Sequence, residues 1–476
     1  MTTSEDKPGL ARLVNGSRLK YLGLTFVLVW HYCLWFVPNT FPSTFLLDDR
    51  VTTGWLVALA SAVLTVLALA IALGRAKHLP RSPALIWTAS GAGCAATLVL
   101  TLGAGVTWPP GTAHAGSAVI GISAGFLWIM WGERYACQRA RFTMGRIAPT
   151  YGVTLLAGLA LTSVLPGALA PAFVAVLPLV SGLLLQVSWR RAPVKAFPPV
   201  LPRQTARYGV LSIVVVCTVA LVAALVSYFV VAIVPWSSLV LGVDRSFTLG
   251  VAIGAVFILG IGLFQSAVPA HPTVFRLFPW LVFLSIIACL LCVVGVELDF
   301  GAFLLALAVS SIFEVLLIMY MARLTLSGYI PSATAFGLSG GAIRFGICLG
   351  NGLALVYERH PGAQDDWTST TLVVFVAVLA ALLILVVRRE YTINDLARSP
   401  HDRTQWETVI AQVGEQFRLS AREREIAAML GLGYTASAIA QKLVISPHTV
   451  NTHVQHIYEK MGIHRRCELL DYMNQR

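Results

Sequence analysis

Near the end of the chain, His448, Asn451, Thr452 and Gln455 fall at helical i, i+3, i+4 and i+7, so one face of a helix would present them together. Two of the four are side-chain amides, which donate and accept hydrogen bonds at once. A second chemical signal is Glu314 and Arg344, ionisable groups in stretches otherwise almost free of charge, where either is costly unless paired. Other chemistry is sparse. The CxxC pair Cys289 and Cys292 sits in an apolar run with no His or carboxylate beside it. There is no phosphate-binding glycine loop, no nucleophile elbow and no hydrolase-like pair of carboxylates. The expectation is a protein that is not an enzyme and needs no cofactor or metal.

The polar face near the C-terminus requires a scaffold, and the flanking residues supply one. Ser420 followed by Glu423 is a capping box at a helix start. Ile426, Met429 and Leu430 then share one helical face, with Gly433 as the left-handed stop. Thr435 reads as the next N-cap, before the apolar stripe Ile439, Ala440 and Leu443. Ser446 and Pro447 are an N-cap and first-turn residue for a third helix, whose apolar side is Val450, Val454, Ile457 and Met461 and which Gly462 ends.

These residues resemble the LuxR type of helix-turn-helix regulator. The shared pattern includes Leu419-Ser420, Arg422-Glu423, Glu425-Ile426, Gly433, Ile439-Ala440, Ile445-Ser446, Thr449-Val450, His453, Lys460, Gly462-Ile463 and Glu468-Leu469. The resemblance implies that Pro447 to Met461 lies in the major groove of double-stranded DNA, and that a fourth helix around Cys467 to Met473 pairs two copies. Asn451, Thr452 and Gln455 match base-reading positions, with His448 on the same face; Thr435, Thr449 and His453 match positions that hold phosphate or brace the helix. A side-chain amide can bond an adenine edge in two places. His453 and His456, though spaced H-x-x-H, therefore read as DNA-contacting or solvated rather than metal-binding. Asn451 and Ala436-Ser437 stand where the family commonly has Lys or Asn-Lys, which implies weaker non-specific binding and a shallower salt slope.

The rest of the chain has a different solvent. With 57% hydrophobic and 12% charged residues over 476 positions, it is too apolar for an ordinary soluble protein. Apolar runs recur near 20–37, 52–73, 84–105, 115–132, 149–165, 169–188, 208–234, 247–267, 277–296, 300–322, 334–356 and 369–387, an expected twelve crossings. Basic residues such as Arg75, Lys77, Arg81, Arg139, Arg141, Lys195, Arg388 and Arg389 fall in alternate loops. The intervening loops hold Asp48, Asp49, Asp244, Glu297, Asp365 and Asp366 with few cations. That asymmetry places both termini in the cytoplasm of a multi-pass cell-membrane protein.

The basic, Pro-rich loop Trp189 to Arg207 divides the runs six and six, which resembles the major facilitator fold of transporters. The loops GRAKHLPRSP and AVPAHPTVFR lack the acidic, glycine-framed signature that fold usually carries there. Two readings stand for Glu314 and Arg344: an ion pair that staples two helices, or one that holds a polar ligand. Trp30, His31, Tyr32, Trp35 and Phe36 either stack an aromatic ligand or form an interfacial belt. Glu133 is expected to meet Arg139 or Arg141. Gly337, Gly341, Gly346 and Gly350 read as close helix packing.

The expected architecture is all-α: residues 1–19 as a cytoplasmic segment, 20–387 as a twelve-helix, 6+6 membrane bundle, 388–412 as a linker and 413–476 as a four-helix reader. Between the last run and residue 418, Trp406, Val409, Ile410, Val413 and Phe417 keep helical spacing, so a helix that packs on the reader or pairs with a partner chain is expected there. The layout resembles the membrane-bound LuxR-type regulators of gut actinobacteria, which implies a one-component regulator that senses a small molecule among its spans and pairs on DNA as a homodimer. The alternatives are a transporter with a regulatory tail and a tethered DNA-binding protein whose spans only anchor it.

Overall fold

Apolar runs of this length have one stable form in lipid, the α-helix, because it satisfies every backbone N–H and C=O within its own segment. The computed structural model describes residues 22–40, 53–74, 78–102, 109, 111–137, 140–191, 203–267, 274–358, 364–396, 409–431, 436–464 and 468–469. These residues fall into two compact units, Met1–Arg389 and Glu390–Arg476.

In the first unit the helices are α1 (Gly23–Phe36), α2 (Thr53–Leu73), α3 (Pro83–Leu102), α4 (Thr112–Ala136), α5 (Ala140–Val164) and α6 (Leu169–Arg191). The second half has α7 (Arg203–Ile233), α8 (Val243–Ala267), α9 (Phe278–Val294), α10 (Asp299–Leu326), α11 (Ser332–Glu358) and α12 (Gln364–Leu396). Eleven of these, α2 to α12, are long and apolar enough to cross a membrane. The α1 helix has 14 described residues, about 21 Å at a rise of 1.5 Å per residue, against roughly 30 Å of hydrocarbon. The expected first crossing began at residue 20, and residues 20 and 21 lie outside the described ones. Eleven full-length crossings plus one shorter apolar helix therefore stand where twelve were expected.

The helices pack as two related halves. The pairs α2 with α4, α3 with α4 and α1 with α5 recur six helices later as α8 with α10, α9 with α10 and α7 with α11. Across the halves, α2 meets α11 and α5 meets α8, again related by the same shift. At the centre is α10, 89% buried in its span, whereas α12 at 17% is turned mostly to lipid.

The glycines of α11 explain its central place. A Cβ on Gly337 would stand 2.5 Å from the Ala70 Cβ of α2, and one on Gly341 would press on Leu67. On the other side, Cβ atoms on Gly346 and Gly350 would collide with the Leu221 and Leu225 carbonyls of α7. Thus α11 is wedged between α2 and α7 with backbones almost touching, as small-residue spacing predicts.

The second unit has its own apolar core. A helix over 409–416 (α13) is followed by α14 (Ala421–Gly431), α15 (Ala436–Leu443) and α16 (Pro447–Met461). Val409, Val413, Leu419, Ile426, Ile439, Val450, Ile457 and Leu469 form one cluster, with Ile410 and Phe417 against it. Val409 and Ile410, expected in the linker, therefore pack with the reader, because their spacing continues the stripe that begins its core. Trp406, Gly433, Thr435, most of the expected fourth helix and most of the Pro-rich central loop lie outside the described residues.

Gly346→Leu is expected to destabilise the purified membrane protein by at least 1–3 kcal/mol, roughly the cost of overpacking. Gly352→Ala, with nothing within 4 Å of its added Cβ, is the neutral control, and thermal unfolding in detergent reads both.

Candidate functional site

Two polar groupings stand out, one in each unit. In the membrane unit, Arg344 of α11 approaches Glu314 of α10 through a single contact, Nη2 to Oε1 at 3.9 Å. The other carboxylate oxygen accepts the Tyr32 hydroxyl of α1 at 3.1 Å. Arg344 is further held by its own helix, donating Nη1–H to the Gly340 carbonyl at 3.2 Å. Its guanidinium lies over the Trp128 ring of α4, 4.1 Å from the centroid, and the indole donates to the Phe336 carbonyl at 2.9 Å. A desolvated cation on an aromatic face is worth about 2 kcal/mol.

Around this pair, Tyr228 is buried beside Ser310, one turn before Glu314. The sealed Tyr151 hydroxyl lies beside Tyr32 without completing a hydrogen bond of normal geometry. Arg344 and Glu314 keep 6% and 7% of their surface accessible, so the pair is not fully enclosed by protein.

Of the other two residues expected here, His31 is half-buried, hydrogen-bonded through Nδ1 to the Val27 carbonyl at 3.0 Å, and within electrostatic reach of Arg344. Trp30 is fully buried, donates to Thr97 at 3.0 Å and touches the His31 ring edge-on. Trp35 and Phe36 pack inward on Trp55, and Phe36 also meets Phe247. The aromatic group of α1 is a packed interior rather than a lipid-facing belt. The side chains of Arg139 and Arg141, the partners expected for Glu133, lie outside the described residues; among the described ones, its Oε1 accepts the Leu79 N–H at 3.1 Å, with His78 at 3.5 Å. That backbone donor comes from the segment just before α3, a partner that sequence spacing along α4 could not reveal.

In the reader, the capping box forms in both directions. Glu423 N–H donates to Ser420 Oγ at 3.2 Å, and Ser420 N–H to Glu423 Oε2 at 2.7 Å. The same carboxylate oxygen receives the Lys460 ammonium from α16 at 2.6 Å, a contact that ties the recognition helix to the first turn of α14. Lys460 and the Ser420 donors hold the Glu423 carboxyl down at about 2. Arg422 also reaches across, donating to the Leu443 carbonyl at 3.3 Å.

At the start of α16, Ser446 accepts the Thr449 N–H at 3.0 Å, Pro447 occupies the first turn, and Gly462 closes the helix at φ 65°. Val450 and Ile457 are buried to 0%. On the opposite face His448, Thr449, Asn451, Thr452 and Gln455 are exposed and His453 is half-buried. The helix thus separates an inward apolar side from an outward polar one.

Residues 418–473 match the luxR family of bacterial regulatory proteins, GerE. The C-terminal domain is a LuxR-type helix-turn-helix. The probable transcriptional regulatory protein NarL of Mycobacterium tuberculosis is 46% identical over 59 residues, covering 12% of this chain and 27% of that protein. The oxygen regulatory protein NreC of Staphylococcus aureus is 40% identical over 63 residues, 13% of this chain and 29% of that one. The chain spans about a quarter of the length of these curated relatives. The membrane unit is similar in fold to the human organic anion transporter MFSD10 (TETRAN), with TM-score 0.54 and 16% identity over 79% of this chain and 100% of that one. It is a major-facilitator-like bundle.

Sequence spacing suggested the Glu314–Arg344 pair but missed Trp128 and Tyr151, which lie on helices distant in the chain. Trp128 had a usable signal, since a Trp deep in a span needs a partner for its N–H.

Two stability predictions follow from the LuxR-type domain's geometry. Glu423 has a folded pKa near 2, below roughly 4.3 when unfolded, so its contribution is fully present above pH ~4.3 and disappears as pH falls toward 2. Glu423→Gln is expected to lower domain stability at pH 7 and to match the wild type near pH 2 in denaturant titrations. Val444, 89% exposed at φ 54°, is a β-branched residue in the left-handed region, so Val444→Gly is expected to gain about 1 kcal/mol.

Proposed function

We propose that the protein is a membrane-bound one-component transcriptional regulator, which binds a small molecule in its membrane bundle and controls transcription through sequence-specific DNA binding. The observation that carries this is the open polar face of α16, a LuxR-type reading helix on the same chain as a major-facilitator-like bundle. The base-reading residues are Asn451, Thr452 and Gln455, with Thr435, His448, Thr449 and His453 holding phosphate or bracing the helix. The reader faces the cytoplasm of the cell membrane, as the loop charges favour, and two copies pair on DNA.

The ligand site centres on Glu314 and Arg344, with Tyr32, Trp128 and His31 around them. An ion pair joined by one 3.9 Å contact is a loose joint among packed helices, and a ligand that prefers one arrangement of that joint shifts its population. Removing one partner of a buried pair costs about 3–5 kcal/mol, so the joint is also a point of leverage. The likeness in fold to a transporter favours a second reading, transport with a regulatory tail.

Genome-wide DNA occupancy of the tagged, membrane-embedded protein tests the regulator, with Asn451→Ala plus Gln455→Ala as control. Discrete peaks lost in the control are expected; no peaks in any growth condition would turn attention to uptake by reconstituted vesicles. Glu314→Gln is expected to keep the protein in the membrane and abolish induction of the genes beside those peaks. Unchanged regulation would leave the spans as an anchor.

A further inference from the structure

We infer that Thr452 reads a thymine through its methyl group and not through its hydroxyl, between two amides that select adenine. The inference rests on α16 being the DNA-facing helix and concerns which chemistry on that face discriminates bases.

A threonine can contact a base edge in either way. Here the hydroxyl is already engaged: Thr452 Oγ1 donates to the His448 carbonyl one turn back, at 3.1 Å. That bond holds the oxygen against the helix's own backbone, as threonine often does within helices. The staggered γ-methyl then projects away from the bond on an exposed side chain. The hydroxyls before it are engaged too, since Ser446 and Thr449 bond each other at 2.8 Å and Ser446 caps the Thr449 N–H.

What remains unengaged on this face is the pair of amides and the His448 imidazole. Asn451 and Gln455 are exposed, and neither makes a hydrogen bond among the described residues. Along the helix axis one precedes Thr452 and the other follows it. The usual guanine readers are arginine and lysine, and α16 carries neither except Lys460, which is bound to Glu423 at 2.6 Å. A face with two free amides and an outward methyl beside His448, its one ammonium held by Glu423, fits an A·T-weighted half-site.

The test uses the full chain in lipid nanodiscs. Selection from a random duplex library yields the preferred site, and each thymine in it is then replaced singly by deoxyuridine, which removes only the methyl. One thymine is expected at which the replacement weakens wild-type binding about fourfold, the value of one buried methyl. Thr452→Val keeps a methyl and loses the hydroxyl, and should retain that sensitivity. Thr452→Ser keeps the hydroxyl and loses the methyl, and should bind both duplexes equally. Asn451→Ala and Gln455→Ala should each relax an adenine preference by about 5- to 150-fold. Wild-type indifference to deoxyuridine at every position, or sensitivity kept by Thr452→Ser and lost in Thr452→Val, overturns the inference while leaving the DNA reader intact. Failure of the folded protein to enrich any site overturns the reader itself, and the inference with it.

Discussion

A guanidinium cannot sit among lipid-spanning helices without replacing the water it gives up, and much of the membrane unit answers that demand. Arg344 draws on a carbonyl of its own α11, the face of Trp128 on α4 and the carboxylate of Glu314 on α10. Glu314 in turn draws in Tyr32 of α1. Four helices from both halves of the bundle are thereby joined at one point. No single contact is ideal, since the ionic one is long and unforked, and the site is satisfied by several partial interactions.

The glycines make that joint reachable. Arg344 lies between two close approaches on α11, with Gly337 and Gly341 pressed on α2 and Gly346 and Gly350 on α7. Backbone contact at these four points sets the depth and rotation of α11, and so aims the guanidinium. Packing by small residues is directional in lipid because there is little hydrophobic gain to be had from burying leucine there.

The reader solves a different problem in water. Its helices are short, and a short helix depends on its caps and its apolar face. Glu423 serves both needs: it closes the capping box of α14 and holds Lys460 of α16. The recognition helix is therefore oriented by a charge-assisted contact as well as by Val450 and Ile457 in the core. That leaves its outward side with no structural duty.

Local order alone determined a large part of this molecule. Apolar run lengths specified the helices of the bundle because lipid leaves the backbone no other choice, and the capping and turn residues specified α14 and α16 because those interactions span at most a few positions. The separation of α16 into a buried and an exposed face followed from helical period. Tertiary structure alone decided who stands beside whom. Trp128 under Arg344, Tyr32 on Glu314 and Leu79 under Glu133 join residues far apart in sequence. It also decided that Trp30 is fully buried and bonded to Thr97 of α3. Periodicity gives the face a side chain occupies, but rotamer and neighbour are set by packing, which no one-dimensional pattern contains.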